Sequence, residues 1–253
     1  MTPLQWVLLI IVGAVASAIN SVAGGGSLIS FPALSLGLGL PSKVANATNA
    51  LGLWPGSLAG AVGFINLLPT CGHHIRTLAI PTLLGALCGS ALLVITRAQV
   101  FDAIVPILLL VATAILAFQP QIKKWALRDH DRISISLGLT LQFLVSMYGG
   151  YFGAGMGIMM LACFALFMDG NIHEINAVKS WLGLIINLFA SALFVVKGMV
   201  ALQPAIAVAI GSLIGGFYAA KLSQKVNPEK LRVAIVVYGF GATAYFFAKT
   251  WWR

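Results

Sequence analysis

Apolar residues run through this chain in blocks rather than in alternation. Ten blocks, parted by short polar or glycine-rich stretches, fall near 4–23, 27–39, 43–66, 76–96, 99–118, 132–152, 156–168, 173–196, 203–222 and 230–249. Most approach or exceed the run of about 18–20 apolar residues that a membrane-crossing helix needs. Strands of a membrane barrel would alternate polar and apolar positions in stretches of about ten, and that alternation is absent. The blocks therefore predict helices. Two of them, 27–39 and 156–168, offer only 13 residues each. That is about 20 Å of helix against a hydrocarbon core of about 30 Å. Each follows directly on a glycine cluster, so each reads as a half-helix after a break.

The same landmarks occur twice. Gly24 and Gly26 recur 129 residues later as Gly153 and Gly155, and Asn46-Ala47 recurs 130 residues later as Asn176-Ala177. Gly85 and Gly89 recur 126 residues later as Gly211 and Gly215. Small residues four apart let helix backbones approach closely in a membrane. The order predicts two repeats, 1–118 and 132–253, joined by a basic linker over 119–131 that carries Lys123, Lys124 and Arg128.

Composition places these helices in a bilayer. Hydrophobic residues make up 60% and charged residues 8%, against about a quarter charged in a soluble domain; the mean hydropathy is +0.98. The net charge of +9 would suggest nucleic acid on a soluble domain. Here the basic residues sit mainly in connections, and the positive-inside bias accounts for them. A bilayer is expected as partner and nucleic acid is not; a homo-oligomer is compatible with the sequence. The three cysteines are scattered, and Cys71 beside His73 and His74 has no second cluster to complete a metal site, so no cofactor or metal is expected. Ala16-Ser17-Ala18 resembles a cleavage site, but no Lys or Arg precedes the apolar run, so a retained first helix is expected.

Charge also bears on whether the short blocks cross. The 119–132 connection is placed in the cytoplasm and Lys179 is left out as intramembrane. Ten crossings then put nine basic residues inside, Lys225 among them, and leave five outside: Lys43, Arg97, Lys197, Lys249 and Arg253. Eight crossings give eight against six. Five crossings per half would make the repeats inverted, a recurrent transporter plan with broken helices at the midplane. The expected fold is thus an all-α polytopic membrane protein of two inverted five-segment repeats, each with a glycine-broken helix and a short half-helix.

The candidate chemistry lies at the breaks. The first reads Asn20-Ser21-Val22-Ala23-Gly24-Gly25-Gly26-Ser27, and the second reads Gly149-Gly150-Tyr151-Phe152-Gly153-Ala154-Gly155-Met156-Gly157. Unwound backbone at membrane depth survives only inside protein or against a water-filled cavity. A half-helix that starts there presents free amides and a positive dipole end, which suit an anion. Close packing is the other reading of the glycines. Asn46 and Asn49 open the helix after the first break, and Asn176 and Lys179 open its counterpart, so Asn49 corresponds to Lys179; Ser57 corresponds to Asn187 in the same way. A lysine at membrane depth marks a functional site unless it snorkels to a membrane face. The asparagines either bind the solute or cap and glue helices. No acidic residue lies deep in a block: Asp102, Asp129, Asp131, Asp169, Glu174 and Glu229 fall at or near connections. That favours an anionic or neutral solute over a cation. The expected binding set is Asn20, Gly24, Gly25, Gly26, Ser27, Asn46, Asn49, Gly153, Ala154, Gly155, Asn176 and Lys179.

The run from Asn20 through Leu34, the Ala45-to-Asn49 stretch, and the second Gly149-to-Gly157 cluster with Asn176-Ala177-Val178-Lys179 together resemble the sulfite exporter TauE/SafE family. The resemblance covers essentially the whole chain, in both halves and in order. It implies a secondary transporter of the bacterial inner membrane for sulfur-containing anions such as sulfite, thiosulfate or small organosulfonates. The connection at 65–76 is less basic than the resemblance leads one to expect, with Arg76 alone formally charged. Two other classes stand beside transport. A membrane hydrolase would have to use Ser27 with His73 or His74, which sit in distant parts of the chain. An accessory protein without transport activity would leave the duplicated breaks without purpose. Within transport, a passive channel is the alternative to a carrier.

Overall fold

The computed structural model describes residues 1–22, 24–126, 133–168, 172–223 and 228–251. Among them the chain is helical throughout, with no strand. The first half contains α1 (Pro3–Val22), α2 (Ser27–Pro32, continued as a π-turn over Ala33–Gly37), α3 (Ser42–Val62), α4 (Leu68–Ile95) and α5 (Ala98–Ala117). A short helix, α6 (Gln119–Ala126), occupies part of the stretch read above as a plain linker. The second half contains α7 (Ile135–Tyr151), α8 (Met156–Ala165), α9 (Ile172–Val196), α10 (Leu202–Ser223) and α11 (Pro228–Trp251). Arg128, Arg132, Lys225, Arg253, Asp129, Asp131 and Asp169 lie outside the described residues.

Among the described residues five spans are long and apolar enough to cross a membrane: Pro3–Ser21, Ile65–Ile95, Ala98–Ala117, His173–Val196 and Arg232–Trp251. This is a multi-pass membrane protein. Its outward faces are apolar, with Leu4, Ile80, Val196, Phe217 and Val237 more than half exposed, as lipid contact requires. Polarity is turned inward instead. On α3, Asn46, Thr48 and Asn49 are buried together with Gly52 and Gly56, which is why that helix is too polar to rank among the five spans.

Glycine contacts fix how the helices pair. A Cβ on Gly211 or Gly215 of α10 would collide with the carbonyl oxygens of Ile10 and Ala14 of α1. A Cβ on Gly85 or Gly89 of α4 would collide in the same way with those of Phe143 and Met147 of α7. Each half thus lays its first long helix against the fourth helix of the other half. Residue numbers rise together along both pairs, so the partners run in the same direction. On α3, Gly56 and Gly60 face Ser17 and Ser21 of α1. Also on α3, Thr48 Oγ1 accepts from the Ala201 amide at the start of α10 (3.0 Å), and Gly56 meets Ser212. So α1, α3 and α10 all run the same way, and the stretch 24–41, which contains α2, returns the chain to the end where α1 began. α9 is joined to α10 by the tight turn at Gly198 (φ 65°) and runs opposite to it.

One feature of the first half has no counterpart among the described residues of the second. α3 carries Pro55, and beside it the Ser212 hydroxyl donates to the Gly52 carbonyl (2.6 Å) while accepting from the Gly56 amide (3.2 Å). A side chain inserted into the helical ladder next to a proline opens the helix locally.

Candidate functional site

Both predicted breaks are present, and they touch. Left-handed glycines make the turns: Gly24 (φ 79°) in the first, Gly153 (φ 78°) and Gly155 (φ 76°) in the second, conformations that cost other residues strain. A Cβ on Gly24 would lie 3.2 Å from the Ile158 amide nitrogen and 3.4 Å from the Gly157 carbonyl carbon, so the first break rests on the start of α8. At the first break, Gly24 N–H donates back to Ile19 and Asn20, and the ladder resumes with Leu28 donating to Gly25. The amides of Gly25, Gly26 and Ser27 stand between, with no acceptor among the described residues. At the second, Phe152 and Gly153 donate to the Tyr148 carbonyl, and Ile158 donates to Gly155. The Tyr148 hydroxyl donates to the Ala154 carbonyl at 2.6 Å, and Asn46 Nδ2 donates to the Tyr151 carbonyl at 3.0 Å. The second break is therefore pinned from its own helix and from α3.

Two cavities flank these breaks. The larger, about 40 Å³, is lined by Asn20, Ser21 and Ser57 from the first half and by Gly157, Lys179, Ser180, Gly183 and Asn187 from the second. It has room for about three waters. The smaller, about 20 Å³, is lined by Ser27, Asn46, Asn49, Ala50 and Leu53 together with Gly149, Gly150, Gly153 and Asn187. The linings correspond through the repeat. Lys179 in one takes the place of Asn49 in the other, Ser180 that of Ala50, and Gly183 that of Leu53, at the offset of 130 that relates Asn46 to Asn176. Asn187 lines both cavities, and its Nδ2 donates to Ser57 Oγ at 2.9 Å. That pair joins two repeat-equivalent positions and separates the cavities.

The predicted residues divide between these places. Asn20 and Lys179 line the larger cavity; Ser27, Asn46, Asn49 and Gly153 line the smaller. Asn176 supports Lys179, whose Nζ donates to Asn176 Oδ1 at 2.9 Å. Gly24 sits at the contact between breaks, and Ala154 offers its carbonyl to Tyr148. The remaining three glycines pack against other helices: Gly25 on Leu116, Gly26 on the Ala16 carbonyl and Gly155 on Ala112. Ser21, Ser180 and Tyr148 were missed. No pattern in the sequence set these hydroxyls apart from the others, whereas Ser57 and Asn187 had announced themselves as a repeated pair.

Electrostatically the cavities differ by one charge. Lys179 is 8% exposed and Asn49 3% exposed. Among the described residues the Asn49 Oδ1, buried, has no hydrogen-bond partner, a situation that costs about 1–3 kcal/mol. Among the described residues no group of His, Cys, Asp and Glu could hold a metal.

The family profile described as "Sulfite exporter TauE/SafE" matches residues 9–246. The chain belongs to that family. It is 30% identical over 242 residues to a "probable membrane transporter protein" of Haemophilus influenzae, covering 94% of this chain and 92% of the relative. It is 26% identical over 240 residues to the "probable membrane transporter protein YfcA" of Escherichia coli K12, covering 93% and 87%. It is 25% identical over 224 residues to the "probable membrane transporter protein ORF9" of a Sinorhizobium species, covering 88% and 85%. No solved structure gives a significant match. As a TauE/SafE member this protein is a membrane transporter rather than an enzyme.

Proposed function

We propose that this TauE/SafE protein is a secondary transporter, working as an exporter, of small sulfur-containing anions such as sulfite, thiosulfate or organosulfonates across the bacterial inner membrane. The observation that carries the reading is Lys179. It is buried, held by Asn176, and faced across its cavity by the first break and by Gly157 at the start of α8. A buried lysine beside a half-helix N-terminus is a site for a small oxyanion: the amides and dipole supply donors and positive potential, and the ammonium supplies a full charge. Lysine at depth is costly in a bilayer, which gives it a functional reason to be there.

The proposed scaffold is five crossings inverted against five. The common direction of α1, α3 and α10, the opposite direction of α9, and the cross-pairing of first and fourth helices support it. Each half then contributes one broken helix and one half-helix to the midplane, as alternating access between inverted repeats requires. Linker 119–131 lies on the cytoplasmic side in this reading. In a background without Cys71, Cys88 and Cys163, a cysteine at Lys124 is labelled from the cytoplasm and one at Lys249 from outside. Labelling of both from one side would overturn the inverted arrangement.

Transport itself is tested in liposomes that contain only the purified protein. Saturable sulfite or thiosulfate flux that follows an imposed ion gradient supports the carrier. Flux that never saturates would make it a channel, and no flux of any sulfur anion would return the protein to an accessory role.

A further inference from the structure

The residues around the smaller cavity carry acceptor oxygens that receive no hydrogen bond. Asn49 is 3% exposed, lines the cavity, and its Oδ1 has no partner among the described residues. More acceptors come from the end of α7, because the last four carbonyls of a helix lack partners within it. Tyr148 there accepts from the Phe152 and Gly153 amides, and Tyr151 accepts from Asn46 Nδ2. The carbonyls of Gly149 and Gly150 accept from no donor among the described residues, and both residues line the cavity. Asn187 engages its Nδ2 with Ser57, a wall of the larger cavity, which leaves its Oδ1 for the smaller one. Buried polar atoms in native proteins are paired in the great majority of cases, and an exception calls for a water, an ion or a ligand.

The chemistry of this lining says which. It offers amide oxygens, main-chain carbonyls and the Ser27 hydroxyl, and no charged side chain. An oxyanion would add acceptors to acceptors, whereas a cation satisfies them. α7 is 17 residues long, and a helix C-terminus carries roughly −0.5 charge. α2, which starts at Ser27, is only six residues long and opposes that end with fewer aligned peptide dipoles. Neutral hard oxygens suit an alkali cation, and no carboxylate is present to balance a divalent one. A volume of about 20 Å³ takes one water-sized occupant, which fits sodium better than the larger potassium. Resting on the anion-transport reading above, we infer that the Asn49 cavity is a sodium site, its ligands Asn49 Oδ1, Asn187 Oδ1 and the Gly149 and Gly150 carbonyls, and that sodium there strengthens anion binding at Lys179. Asn187 belongs to both cavities. An anion beside Lys179 neutralises the ammonium that would otherwise repel a cation across the Asn187–Ser57 pair. Each ion therefore favours the other, and by linkage the two gains in affinity are equal. The lack of deep carboxylates argues against a cation carried alone; here the anion is its counter-charge.

The first test reads binding without flux. Purified full-length protein is melted in sodium, potassium or choline chloride at equal ionic strength. Sodium should raise the melting temperature saturably, by at least about 3 °C, and the other two salts should not. Asn49→Leu removes the amide oxygen at similar volume and should lose that rise. Asn49→Asp adds a charge to the ligands and should lower the half-effective sodium concentration at least about threefold, so it carries the test should leucine disturb folding. The second test reads the linkage: sulfite should bind the wild type about tenfold more tightly in sodium than in choline. Equal melting temperatures in the three salts, an equal rise with potassium, or an undiminished rise in Asn49→Leu overturns the sodium site and leaves the Lys179 site standing. A sodium-dependent melting temperature with sulfite affinity indifferent to sodium overturns the coupling. Absence of saturable sulfite flux in liposomes, with the melting shift intact, overturns the transport reading and not the sodium site.

Discussion

The Lys179 and Asn49 cavities are built on one plan and differ where it matters for binding. Each lies beside a broken helix, the start of a half-helix, and the first turns of the helix that follows. Each is closed on one side by Asn187. The frame around them is equally duplicated, since α1 rests on α10 as α7 rests on α4. What departs from the duplication is the polar lining. One cavity has an ammonium, Ser180 and Gly183 where the other has an amide, Ala50 and Leu53. The breaks are also held differently. Tyr148 ties the second to its own helix, whereas the first is beside α3, which Pro55 and the Ser212 hydroxyl have opened. Backbone packing constrains both halves alike, while side chains facing the cavities are free to diverge.

The largest expected effect tests the shared frame. Gly89→Val and Gly215→Val each drive a side chain into a carbonyl oxygen of the partnering helix. Overpacking of this kind costs at least about 1–3 kcal/mol even where neighbours can shift, and backbone shifts little. Neither variant should give a monodisperse folded species on size-exclusion chromatography. If one folds normally and the other does not, the halves are not held together in the same way. A smaller effect separates the cavities. Lys179→Gln keeps a donor and removes the charge, and a charged hydrogen bond contributes about 1.5–3 kcal/mol. Sulfite or thiosulfate affinity should fall roughly ten- to a hundredfold with expression largely preserved. Unchanged affinity would return the lysine to snorkelling. The smallest effect separates the breaks. Tyr148→Phe removes one bond to the Ala154 carbonyl, worth about 1 kcal/mol, and should slow turnover about fivefold without changing which anions are carried. A result equal to wild type would mean that Asn46 and the packing of Gly155 suffice to shape the second break.

Much of this arrangement was legible in the sequence because glycine is needed where backbones touch or turn, and those needs repeat with the fold. Gly24, Gly153 and Gly155 marked the breaks by conformation, and Gly85, Gly89, Gly211 and Gly215 marked the helix contacts by proximity. The same residue type misled where the two uses overlap. Gly26 belongs to the run that forms the break, yet its Cα is buried on the Ala16 carbonyl, so Gly26→Val would report packing rather than binding. The division of the polar set into two cavities was not legible either. Asn49 and Lys179 are equivalent in sequence, and only the opposite directions of α3 and α9 place them apart. α6 and the two extra turns at the start of α4 were hidden by their polar residues, including His73, His74 and Arg76, which read as a connection.

The pairing of α1 with α10 also has a consequence for how the protein is made. Gly13 of α1 fits against Val208 of α10, and the ribosome must add almost two hundred residues between them. At about 5–20 residues per second, α1 waits on the order of 10–40 s in the bilayer before its partner exists. Through that interval its small-residue face is open to lipid or to other nascent helices. The first half cannot reach its final arrangement as it emerges, and α4 in turn waits for α7. Assembly is therefore completed only once α10 is in place, so a chain truncated before α10 should be cleared by membrane proteases rather than accumulate as a stable half.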